Sequence, residues 1–134
     1  MEEKHLQIDA SREEVVALLE VGQIYYLRGE YEKAEKVFQG GLVMQPGDGD
    51  LLAALGATYH VQKKYELALA CYEAALKACP SESCSKANRG ELLLLMGHKE
   101  DAIRELKATI ELHGTDHPLG ERAAALLHIA ETAE

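Results

Sequence analysis

The side chains able to hold a metal ion or act as nucleophiles are three cysteines, Cys71, Cys79 and Cys84, and six histidines. Cys79 and Cys84 straddle the turn signal at Pro80, but a zinc site needs four ligands and no Cys-x-x-Cys or second histidine pair completes the set. His113 and His117 are spaced to share one helical face, yet Gly114 and Pro118 break the helix that would carry them. His60 and His98 stand alone and read as surface or groove residues. No Gly-rich phosphate loop and no Gly-x-Ser-x-Gly elbow is present. The reading is therefore no enzyme, no metal and no cofactor. An odd number of cysteines without a paired framework fits buried thiols in a reducing compartment.

The elements that must position these residues are helices. With 134 residues and 47 % apolar content the chain can bury one continuous core, and one domain is expected. No run reaches the roughly 18 consecutive apolar residues of a membrane span, and the start lacks a secretory layout. A cytoplasmic location without membrane insertion follows as an expectation. The net charge of −9 is spread along the chain and offers no basic stripe, which argues against nucleic acid as a partner.

In chain order, Ser11 and Glu14 have the spacing of a capping box and place the first helix start near Arg12, behind a leader of residues 1–14. Apolar residues at helical spacing predict that helix to end near Arg28, where Gly29 turns the chain. Helices follow at about Tyr31–Met44, Asp50–Gln62, Tyr65–Ala78, Ser83–Met96, Lys99–Leu112 and Pro118–Thr132. Pro46-Gly47-Asp48-Gly49, Lys63-Lys64, Pro80-Ser81-Glu82-Ser83, Gly97-His98 and Gly114 to His117 supply the breaks. Glu32–Lys36 and Glu73–Lys77 are spaced for ion pairs on solvated faces. Gly40-Gly41 falls inside the second helix. Gly41 holds a small-residue packing position, whereas Gly40 only weakens the segment, by roughly 1 kcal/mol against Ala.

These helices repeat. Leu52, Leu55, Gly56, Tyr59, Ala68, Tyr72, Ala75 and Pro80 recur 34 residues earlier as Leu18, Val21, Gly22, Tyr25, Ala34, Phe38, Gly41 and Pro46. A weaker copy 34 residues later keeps Gly90, Ala102 and the apolar Leu106. The series resembles the tetratricopeptide repeat family. The resemblance implies an all-α, right-handed superhelical solenoid with three helix-turn-helix repeats (15–48, 49–82, 83–116) and a C-terminal capping helix (117–134). The cap covers the apolar face that the last repeat would otherwise expose.

The family resemblance also implies a concave groove, lined by the first helix of each repeat, that binds protein or peptide segments. Its register points Val16, Leu19, Glu20, Gln23, Tyr26 and Leu27 inward, then Asp50, Ala53, Ala54, Ala57, His60 and Val61, then Cys84, Ala87, Asn88, Glu91, Leu94 and Leu95. The expected binding set is Leu19, Tyr26, Ala53, Ala57, Val61 and Leu94 for apolar burial, with Gln23, His60, Asn88 and Glu91 setting the register of an extended partner. Co-chaperones that hold acidic chaperone tails use cations and amides where this chain has Leu19, Gln23, Ala54, Cys84 and Asn88, so that clamp is absent. The stretches Gly29–Gly41 and Tyr65–Ala75, the Leu55-Gly56-Ala57 step and Glu91-Leu92-Leu93 are similar to translocator-class type III secretion chaperones. Those proteins hold an extended segment of an aggregation-prone, membrane-inserting client. The alternative is a scaffold that works as a homodimer or larger homo-oligomer, or through its convex face.

Overall fold

The structure is a computed structural model that describes the backbone of residues 2–80 and 83–132 and the side chains of 12–80 and 84–132. Seven helices and no strand are found among the described residues. They are α1 (Glu2–Leu27), α2 (Tyr31–Met44), α3 (Gly49–Val61), α4 (Tyr65–Ala78), α5 (Ser83–Leu95), α6 (Lys99–His113) and α7 (Pro118–Thr132). This is an all-α helical-repeat fold of the solenoid class. The helices gather into two compact units, Met1–Ala78 and Cys79–Glu134.

In the first unit α1 packs on α2, α2 on α3 and α3 on α4, with α1 also beside α3. The 34-residue pattern explains the pairing. Each helix pair crosses where a glycine on the first helix meets a ring on the second: Gly22 faces Phe38, and a Cβ at Gly56 would stand 2.7 Å from the Tyr72 ring. Ala34 and Ala68, both fully buried, let the backbones close at the same level. Burying a ring of this size contributes about 2–3 kcal/mol, so Phe38 and Tyr72 anchor their repeats. Gly41 is likewise required by packing, with Leu51 methyls 2.9 Å from the site of its missing Cβ, while a side chain at Gly40 would meet nothing.

The turns between paired helices share one geometry. The amide of Glu30 donates to the Tyr25 carbonyl (2.9 Å) and that of Gly29 to Tyr26 (3.0 Å). Lys64 and Lys63 repeat the pattern onto Tyr59 and His60, and His98 and Gly97 repeat it onto Leu93 and Leu94. Each is a Schellman closure, which needs one residue in the left-handed region. Gly29 (φ 76°) and Gly97 (φ 84°) enter it without strain, whereas Lys63 (φ 62°) occupies the same repeat position with a side chain.

The first helix differs from the sequence expectation. It begins at Glu2 rather than near Arg12, so residues 2–14 are not a separate leader, and the backbone at Ser11 is already helical. Inside a helix the Ser11 and Glu14 amides have backbone acceptors, and the capping box has no orphan donors to satisfy. The Ser11 side chain lies outside the described residues. Arg12 instead reaches α3, donating to Asp48 and Asp50 at 2.8 Å each. Asp48 caps α3 by accepting from the Leu51 amide (2.9 Å). The Glu32–Lys36 and Glu73–Lys77 pairs are not closed among the described residues. Lys33 pairs with Glu30 and Lys64 with Glu35.

In the second unit α5 packs on α6, α6 on α7, and α7 also lies beside α5. Gly90 approaches Leu106, with Ala102 fully buried, which repeats the crossing of the first unit with an aliphatic side chain in place of a ring. Gly114 (φ 74°) ends α6, and His117 starts α7 by accepting the Leu119 amide at Nδ1 (3.1 Å). Ala123 and Ala130 of α7 are fully buried.

Candidate functional site

Within the first unit the inward register of α1 and α3 forms one open face. Its centre is a recess of about 580 Å³ lined by Leu19, Glu20, Gln23, Ile24 and Ala54, with the ring of Phe38 as its floor. The recess exists because α3 offers alanines where α1 offers larger residues. Ala53, Ala54 and Ala57 are half-buried, and the small side chain of Ala54 leaves the space above Phe38 unfilled. Along the same face Val16, Ile24, Leu27 and Val61 are exposed apolar residues. Chemically this is a place for apolar side chains of an extended ligand.

The polar members of that face differ in availability. Gln23 is exposed. His60 is half-buried, its Nδ1 sharing a hydrogen bond with the Tyr72 hydroxyl (3.1 Å) and its ring edge-on to Tyr65 and Tyr72. Tyr26 stacks edge-on against Tyr31 with centroids 5.5 Å apart. Leu19, Gln23 and Ala54 are thus brought together at the recess, while Tyr26, Ala53, Ala57, His60 and Val61 do not line it.

In the second unit the corresponding face of α5 is occupied by the protein's own charges. Arg122 of α7 donates Nη1 to the side-chain amide oxygen of Asn88 (2.9 Å) and Nη2 to the Glu91 carboxylate. Leu94 is half-buried on the same helix. Arg122 was missed in the sequence, where α7 is read only as a cap. It stands 34 residues after Asn88, so the repeat register itself carries the signal. Deeper in this unit Arg89 pairs with Glu105.

Two expectations about chemical residues change. The His113 and His117 rings stack, with centroids 4.6 Å apart and an interplanar angle of 27°, because the Gly114 turn folds the chain back on itself rather than separating them. No group of three or more metal-ligating side chains occurs among the described residues. Burial pushes the Cys71 thiol up to about 11, so it stays protonated at neutral pH and is a poor nucleophile. Cys79 and Cys84 are exposed rather than buried. Hydrogen bonding to Asp50, then the Asp48 charge, moves the Arg12 guanidinium above its ordinary range. No helix among the described residues is long and apolar enough to cross a membrane.

The family model described as tetratricopeptide repeat matches residues 22–83. The human protein O-mannosyl-transferase TMTC1 is 30 % identical over 87 residues, covering 65 % of this chain but only 10 % of that protein's length. The Yersinia enterocolitica type III secretion chaperone SycD, in complex with a peptide of the translocator YopD, superposes with a TM-score of 0.77 at 27 % identity, over 86 % of this chain and 90 % of SycD. The second repeat domain of human RPAP3, in complex with an HSP70 peptide, superposes with a TM-score of 0.80 at 20 % identity, over 91 % and 98 % of the two chains. At that identity the RPAP3 likeness speaks for the fold alone.

Proposed function

We propose that the chain works as a tetratricopeptide-repeat protein, as the match over residues 22–83 supports, and that it binds an extended, largely apolar segment of a partner protein along the open face of α1 and α3. The observation that carries this reading is the recess over Phe38, an apolar space bordered by side chains that leave it unfilled. Burial of one large apolar side chain there contributes about 1.5–3 kcal/mol before ordering costs. In this reading Leu19, Tyr26, Ala53, Ala57 and Val61 supply apolar surface, and Gln23 and His60 fix the backbone of the segment. Asn88, Glu91 and Leu94 form a second contact surface on α5. The likeness to SycD favours a cytosolic chaperone of the type III secretion kind, one that shields a client segment until release.

The test is co-purification of a client with wild-type protein and with Tyr26→Glu and Ala57→Arg, each checked for helical content by circular dichroism. Loss of the client from both folded variants is expected. Retention at wild-type level by both removes the groove as the working site. Light scattering then decides for the scaffold alternative if the protein is a constitutive homo-oligomer with no client.

A further inference from the structure

Resting on the groove reading above, we propose that the recess in the first unit selects a large apolar anchor residue with a lysine or arginine close beside it in the client chain. The lining is apolar except for Glu20 and Gln23. Glu20 is exposed and has no hydrogen-bond or ion-pair partner among the described residues, unlike the neighbouring carboxylates Asp48 and Asp50, which Arg12 holds. It sits one helical turn from both Val16 and Ile24, so an exposed apolar stripe of α1 runs directly past an unneutralised carboxylate. Glu13 extends the stripe one further turn and is exposed as well.

Charge complementarity decides the occupant. A segment with an acidic residue beside its anchor would bring two carboxylates together over a partly apolar surface, which is unfavourable. A second copy of this chain docking by the same stripe would bring a second Glu13 and Glu20 into the same contact and double its negative charge, since a two-fold contact pairs like surfaces. A cation beside the anchor relieves both problems. It satisfies Glu20, and its methylene stem lies on Ile24, which is 54 % exposed.

The experiment uses the full chain and fluorescein-labelled Gly/Ser peptides of about twelve residues, each with one leucine flanked by lysines, serines or glutamates, read by anisotropy at low and high salt. The lysine-flanked peptide is expected to bind tightest. Leucine to alanine in that peptide should weaken it about thirtyfold. Exchanging lysine for glutamate should weaken it about two- to fivefold, with the gap closing as salt rises. Glu20→Lys should reverse the preference between flanks, while Glu66→Lys on α4 should not. Binding that depends on leucine but ignores the flanks and Glu20 overturns this inference and leaves the groove reading intact. Absence of leucine-dependent binding, or binding that survives Ala54→Arg in a protein still helical by circular dichroism, overturns both. A monomer–dimer equilibrium that Glu20→Lys strengthens, with no peptide bound, assigns the stripe to a second copy instead.

Discussion

The same repeat register presents opposite surfaces in the two compact units. On α1 and α3 of the first unit, Ala54 and a glutamate with no ion-pair partner among the described residues border an open recess. On α5 of the second, Asn88 and Glu91 are satisfied by Arg122 from the neighbouring helix. Identical backbone positions are therefore either spare or committed, according to what stands 34 residues further on. Repeat architecture fixes where a side chain points. Whether that side chain is available to a ligand is settled by its neighbours, and position within the repeat alone does not report it.

The glycine crossings offer the largest test of this contrast. Alanine at Gly56 sets a Cβ 2.7 Å from the Tyr72 ring and 3.2 Å from Cys71 Cβ, groups locked by the buried core. Gly56→Ala should lose about 1–3 kcal/mol in thermal or urea unfolding. At Gly90 the nearest atom is a Leu106 methyl at 3.1 Å, which can give way by a few tenths of an ångström. Gly90→Ala should fall within about 1 kcal/mol of wild type, because the helix-propensity gain offsets the crowding. Equal losses at both sites would erase the distinction between a ring-anchored and an aliphatic crossing.

The turns give the next largest effect. Gly29→Ala forces a side chain into the left-handed region and should cost about 1 kcal/mol, whereas Lys63→Gly relieves that strain and should return up to about 1 kcal/mol. A smaller effect distinguishes the two faces directly. Arg122→Ala should change stability by no more than about 1 kcal/mol, since its partners are partly exposed and screened, and it should leave peptide binding at the first unit unaltered. Loss of that binding in Arg122→Ala would mean that the faces do not act separately.

Much of this was legible in the sequence. The bounds of α2, α4 and α7 follow from glycine, proline and apolar spacing, and the buried residues Ala34, Phe38, Ala68, Tyr72, Ala102 and Leu106 follow from the 34-residue period. The start of α1 did not follow. A Ser-x-x-Glu spacing is equally compatible with a helix interior, and no glycine or proline stands before Arg12 to stop the helix from running back. The His113–His117 stack was hidden for a different reason. A break in the helix removes a shared helical face, yet the tight turn at Gly114 brings the two rings together. Side-chain commitments such as Arg122 to Glu91 or His60 to Tyr72 depend on tertiary packing, and spacing along the chain carries them only once the register is extended into α7.

Gly40, with open space where a side chain would be, has a consequence for the timing of local motion. The last turn of α2 holds two adjacent glycines, whereas the same turn of α4 has Ala74 and Ala75. Each glycine widens the backbone freedom that helical order must overcome, so transient opening at the end of α2 costs less than its counterpart one repeat later. Amide hydrogens of Leu42 to Met44 will accordingly trade with deuterium sooner than those of Leu76 to Ala78, so the end of α2 breathes before its counterpart in α4.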